Sequence, residues 1–173
     1  SENMGKLAKN ITGIDVEKLI EMLNAALAEE WLAFYQYWVG AKVMEGPMRS
    51  EIEPELELHA TQELNHAVMV ANRIIQLGGT PILNPKEWFE HAGCSYDAPI
   101  DPYIEVILDQ NLKGERCAIQ RYNEIAIYTS GKDHATHQMA TQILQEELEH
   151  EQDIEDWITD IERMKENLKK LKL

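Results

Sequence analysis

Glu147-Leu148-Glu149-His150 lies inside a long polar-apolar run that begins near Asp133. A Glu and a His three residues apart share one side of a helix, so both can reach one metal ion. Glu63-Leu64-Asn65-His66 is a second copy, and of the six His only these two have a Glu at that offset. Each copy follows another Glu at nearly the same interval, Glu30 before Glu63 and Glu115 before Glu147. Two helical turns after those Glu come Tyr37 and Tyr122. The chain therefore reads as two copies of one unit, a helix bearing Glu and Tyr followed by a helix bearing Glu-x-x-His. Four carboxylates and two imidazoles on four helices describe a site for two metal ions.

A Glu-x-x-His on an acidic helix is usually a solvated face, and the neighbours argue against that here. Glu30 has Leu23, Ala26, Leu27, Ala33 and Phe34 at helical spacings, and Glu115 has Leu108, Leu112, Ala118 and Ile119. Glu147 has Ala140, Ile143, Leu144 and Ile154. These acids interrupt apolar stripes that face a core. A lone buried carboxylate costs several kcal/mol or takes up a proton. Four converging ones call for cations, and two divalent ions balance four carboxylates.

Thirty-one acidic against 16 basic residues give a formal charge of −15, which opposes unspecific nucleic-acid binding and suits the collection of cations. The 173 residues suit one domain, with 1–13 as an N-terminal arm and a bundle over about 15–170. No apolar run reaches transmembrane length and the start is not signal-like, which predicts a cytoplasmic protein with no membrane partner. Two Cys are too few for a secreted disulfide framework.

The predicted architecture is all-α, a four-helix bundle with a short extra helix in the long connection between helices 2 and 3. Asp15 caps a first helix that Gly46-Pro47 stops. Ser50 with Glu53 reads as a capping box for the second, with Pro54 in its first turn and Gly78-Gly79 at its end. Asn84-Pro85 opens the short extra helix, closed by Gly93. Asp101-Pro102 opens the third, and Ser130-Gly131-Lys132 is the turn before the fourth. No Gly or Pro interrupts 133–173, so no separate fifth helix is expected.

The motifs resemble the ferritin superfamily, and within it the bacterioferritin-related branch. Glu30-Trp31-Leu32-Ala33-Phe34-Tyr35-Gln36-Tyr37 is similar to the E-x-x-A-x-x-Q-Y of a bacterioferritin first helix. Glu63-Leu64-Asn65-His66-Ala67 resembles its E-M-K-H-A, and Leu77-Gly78-Gly79-Thr80-Pro81 the L-E-G-x-P that follows. Leu112-Lys113-Gly114-Glu115-Arg116 and Glu146-Glu147-Leu148-Glu149-His150 match the third- and fourth-helix motifs. The missing fifth helix, the extended connection and the pair Cys94/Cys117 look like the Dps-like group called thioferritins. That resemblance implies a dodecamer that oxidises Fe(II) with hydrogen peroxide or dioxygen, stores iron and protects against oxidative damage. Bacterioferritins ligate haem through a Met where this chain has Leu64, so no haem is expected by that route.

The expected ligands of two Fe ions per subunit, with Mn or Zn as substitutes, are Glu30, Glu63, His66, Glu115, Glu147 and His150. Glu63 and Glu147 are placed to bridge; Glu30 and His66 complete one ion, Glu115 and His150 the other. Tyr37 and Tyr122 read as hydrogen-bond donors to ligand carboxylates, or as core tyrosines. Cys94 and Cys117 have two readings, a redox dithiol or two small buried hydrophobes; the residues favour the second and the resemblance the first. His59 has two readings, a residue lining the iron entry or a partly exposed surface His, the second favoured; His134 and His137 read as solvated residues at a helix start in preference to surface-metal ligands. Trp31, Trp38, Trp88 and Trp157 read as core or subunit-contact residues. The competing functions are a non-storing di-metal peroxide reductase, a manganese catalase-like enzyme, and a DNA-coating protein, the last opposed by the net charge.

Overall fold

The computed structural model describes residues 5–171. In chain order they form α1 (Lys6–Asn10), α2 (Val16–Val43), α3 (Arg49–Gln76), a 3-10 turn (Pro85–Glu87) leading into α4 (Trp88–His91), α5 (Ile104–Thr129) and α6 (His134–Lys170). No strand occurs among the described residues. The architecture is the ferritin-like bundle of α2, α3, α5 and α6, with the short extra helix where the Asn84-Pro85 signal puts it. No helix among the described residues is long and apolar enough to cross a membrane.

α2 pairs with α3 and α5 with α6, as two helical hairpins. Glu45 and Tyr103 form an isolated bridge, with Glu45 N donating to Pro102 O at 2.8 Å and Ile104 N to Glu45 O at 2.8 Å. The bridge sets the start of α5 beside the start of α3, so these two helices run parallel. The long connection after α3 makes that possible by carrying the chain back along the bundle.

Local chemistry explains most of the ends. Asp15 Oδ1 accepts from the amides of Glu17 and Lys18, and Asp133 from that of Thr136. α3 closes in a Schellman motif, with Gly79 N on Ile74 O and Gly78 N on Ile75 O, both 2.9 Å, and Gly78 at φ 78°. Three expectations need correction. Ser50 is not the cap of α3: Met48 takes that position at φ 62° with no side-chain cap, and its carbonyl starts the helix two residues earlier. Met48 packs on the core, which offsets the cost of its left-handed backbone. Pro54 consequently lies in the second turn and leaves the Ser50 carbonyl without its helical donor. α5 opens at Ile104 rather than at Asp101-Pro102, and Asp101 Oδ1 instead accepts from Tyr103 N at 3.0 Å.

The expected arm also differs. Residues 1–4 lie outside the described residues, but Lys6–Asn10 are helical. Gly5, at φ 68°, lies where a Cβ would meet Gln76 O at 2.6 Å and Gly78 N at 2.7 Å, so only Gly lets α1 turn against the end of α3.

The core falls into two apolar clusters. One gathers Leu19, Leu23, Val70, Ile74, Ile125 and Ile143 at one end, the other Met44, Ile52, Leu56, Ile107, Leu108 and Ile154 at the opposite end. Each fully buried Leu or Ile contributes about 1.5–3 kcal/mol. Between the clusters, at the middle of each long helix, lie the acids and imidazoles.

A glutamate–histidine centre inside the bundle

Mid-helix placement decides the geometry. Glu30 on α2, Glu63 and His66 on α3, Glu115 on α5, and Glu147 and His150 on α6 all point inward, and none is more than 2% exposed. They form two groups that share Glu63 and Glu147: Glu30, Glu63, His66, Glu147, and Glu63, Glu115, Glu147, His150. Within each group the ligand atoms lie within 4.8 Å of one another, close enough to hold a metal ion.

The two imidazoles present Nδ1 to the acids. His66 Nδ1 lies 2.9 Å from Glu147 Oε1 and 3.6 Å from Glu30 Oε2. His150 Nδ1 lies 3.0 Å from Glu63 Oε1 and 3.3 Å from Glu115 Oε1. Each Nε2 is held from outside by the opposite hairpin: Glu146 takes that of His66, and Gln62 Oε1 lies 2.7 Å from that of His150. Gln62 and Glu146 were not anticipated from sequence, although each directly precedes a central Glu, so the repeated unit is really Gln/Glu-Glu-x-x-His. Fixing one ring nitrogen fixes the direction of the other.

Both tyrosines donate to acids of the opposite hairpin. Tyr122 Oη bonds Glu30 Oε1 at 2.5 Å and Tyr37 Oη bonds Glu115 Oε1. Burial first, then the neighbouring carboxylates, pushes both phenols well above their usual range, so they remain donors. Tyr37→Phe should leave the fold intact and free Glu115 to reorient, slowing metal oxidation roughly tenfold or more without changing metal stoichiometry. Stopped-flow absorbance beside a binding titration checks both halves of that expectation.

The electrostatics are those of four acids and two imidazoles crowded into one buried pocket. Burial, then the charges of neighbouring glutamates, pushes Glu63 and Glu147 well above the usual carboxylate range. Burial acts to raise Glu115 too, but hydrogen bonds from His150 and Tyr37 and the His150 charge outweigh it and hold Glu115 low. Burial works against charging His66, yet the Glu147 and Glu30 carboxylates beside its Nδ1 raise it to about 11. Glu30 Oε2, Glu63 Oε1, His66 Nδ1, Glu115 Oε2 and both oxygens of Glu147 have no properly aligned hydrogen-bond partner. Such orphaned buried atoms cost about 1–3 kcal/mol each.

Several expectations about the surroundings change. His59 is buried, not a surface residue: its ring stacks on His150 at 4.0 Å and Nε2 meets Asp153 Oδ2 at 3.0 Å. Burial and then the His150 charge lower it to about 4, so this contact is a neutral hydrogen bond rather than an ion pair. His137 is half-buried, with Nδ1 2.8 Å from Ala126 O, whereas His134 is exposed as expected. No Trp is fully buried: Trp31 stacks on Trp88 at 5.4 Å, and Trp38 is 41% exposed. Cys94 and Cys117 are joined in a disulfide across a Cα separation of 5.9 Å. The disulfide lies beside Glu29, an acid that the sequence did not single out, which Arg121 Nε holds at 2.6 Å.

The fold has known counterparts. The dodecameric thioferritin described as the bacterioferritin-related protein from Bacteroides fragilis is 54% identical, with a TM-score of 0.93 over 94% of this chain and 98% of that one. The DNA protection during starvation protein of Pyrococcus furiosus is 41% identical over 86% of this chain and 80% of its own length. Rhodobacter capsulatus bacterioferritin, solved with a metal-free dinuclear site and haem iron, is 27% identical with a TM-score of 0.73, over 85% of this chain and 87% of that one. The profile of the ferritin-like domain matches residues 20–164, most of the chain and all six central side chains, and the protein belongs to the ferritin family.

Proposed function

We propose that this chain binds Fe(II) as substrate at the glutamate–histidine centre, oxidises it with hydrogen peroxide or dioxygen, and stores the product inside a homo-oligomeric cage of twelve subunits. The carrying observation is the set of inward-facing atoms on Glu30, Glu63, His66, Glu115 and Glu147 that lack partners. Two divalent ions would satisfy all of them, and carboxylate with imidazole suits Fe(II), with Mn or Zn as substitutes. Glu63 and Glu147, common to both groups, would bridge the ions; Glu30 with His66 and Glu115 with His150 would complete them. Two Fe(II) ions so held supply two electrons together, enough to take peroxide to water without releasing a hydroxyl radical.

The rest of the chain serves that chemistry. Tyr37 and Tyr122 orient Glu115 and Glu30, Glu146 and Gln62 orient the imidazoles, and the apolar clusters above and below exclude bulk water. The relatives named as a dodecameric thioferritin and as a DNA protection during starvation protein support a twelve-subunit assembly and a protective role. A formal charge of −15 does not suit a protein that coats DNA directly, so the protection works through removal of iron and oxidant.

An anaerobic Fe(II) titration should break at two ions per subunit. After aerobic loading, iron should co-elute with a particle about twelve times the 19.9 kDa subunit. A dimer that turns over peroxide without retaining iron would overturn storage and leave a small di-metal enzyme.

A further inference from the structure

We propose that Cys94, Cys117 and Glu29 form a second metal site, separate from the glutamate–histidine centre, that exists only when the disulfide is reduced and takes a thiophilic divalent cation such as Zn²⁺. The three residues come from different elements: Glu29 from α2, Cys94 from the bend after α4, Cys117 from α5. Their ligand atoms all lie within 4.8 Å of one another.

Glu29 is already aimed. It is buried, Arg121 Nε binds its Oε1 at 2.6 Å, and the Gly93 backbone also bonds the carboxylate. Its Oε2 points at Cys94 Sγ from 2.7 Å. A disulfide sulfur carries no hydrogen, so this oxygen meets no donor there. A cation lying between sulfur and oxygen would give the contact a partner that the oxidised form lacks.

Reduction by a cellular dithiol adds two electrons and two protons, breaks the S–S bond and leaves two thiols. The entering cation displaces those two protons and meets two thiolates and one carboxylate. Three negative charges then face one divalent ion and the Arg121 guanidinium, so the cluster is neutral. Two thiolates within about 2.3 Å of one ion need only side-chain rotation from a Cα separation of 5.9 Å. Both cysteines are half-buried, which lets a reductant reach them and a water fill the fourth position. Sulfur sets this site apart chemically, because thiolates select Zn²⁺-like ions while the inner oxygen and imidazole donors suit Fe(II).

The test is a Co²⁺ titration of the whole protein, oxidised and after phosphine reduction, with free thiols counted. Only the reduced protein should develop sulfur-to-cobalt charge-transfer absorption in the near ultraviolet, and stoichiometric Zn²⁺ should abolish it. Glu29→Gln should keep both thiols but weaken cobalt binding roughly tenfold or more. Cobalt at the inner centre gives no sulfur band, so this inference and the iron reading stand or fall separately. Reduced protein with two free thiols and no sulfur band overturns the proposal, as does cobalt affinity unchanged by Glu29→Gln.

Discussion

Glu147→Gln is expected to abolish rapid Fe(II) oxidation while leaving the assembly intact. Glu147 is fully buried and belongs to both donor groups, so its loss affects both ions at once. The amide keeps the volume of the carboxyl, which protects the packing of the bundle, but it removes a charge and turns one acceptor into a donor. Losing a residue that merely supports a ligand costs roughly 10- to 100-fold, so loss of a shared ligand should exceed about a hundredfold. Stopped-flow absorbance of the ferric product measures the rate, and size-exclusion chromatography the assembly. Glu149→Gln, two residues along and exposed, is the control and should behave as the parent. Unchanged oxidation in Glu147→Gln would remove it from the site.

The largest stability effect is expected at the far end of the bundle. Arg73 on α3 reaches across to the start of α6, where its NH2 group bonds both oxygens of Asp133 at 3.0 and 3.2 Å and Nε bonds Thr136 Oγ1 at 2.7 Å. Asp133 also caps α6, accepting from Thr136 N at 3.1 Å. Arg73→Met keeps the aliphatic stem but strands a buried carboxylate, a change that costs about 3–5 kcal/mol. Adding Asp133→Leu should recover part of the loss, since no unpaired charge then remains. Thermal denaturation at matched concentration tests both, and a cost under about 1 kcal/mol would mean the pair behaves like a surface one.

The same network has a pH signature. Burial acts to raise Asp133, but its bonds with Thr136 and the Arg73 charge outweigh that and hold it below its ordinary 3.8. A depressed folded value means the contribution is fully present above pH 3.8 and is lost as pH falls through the folded value. The parent should therefore shed this stability as pH falls below 3.8, and in Arg73→Met the step should shrink and move to higher pH, because only the bonds from Thr136 then favour the carboxylate.

How much was legible beforehand follows from the range over which sequence patterns act. Apolar spacing around Glu30, Glu115 and Glu147, the repeated Glu-x-x-His and the Gly and Pro punctuation are relations among near neighbours. They yielded four long helices, the short one near Trp88, and six side chains facing one interior. The caps expected at Ser50 and Asp101 are displaced by non-local contacts: Met48 and Tyr103 take the cap positions because tertiary packing of Met48 and the Glu45–Tyr103 bridge outweigh a favourable local cap.

By itself, then, the sequence determined which residues lie on the inner face of each helix, because helical periodicity depends only on the chain's own spacing. Only the tertiary structure decided who meets whom across the bundle: Tyr37 with Glu115, Tyr122 with Glu30, Glu146 with His66, Gln62 with His150, Cys94 with Cys117. Those pairings, and the burial of His59 against His150, depend on how far one helix slides along another. That register is set by the packing of the two apolar clusters as a whole, and no local stretch of sequence carries it.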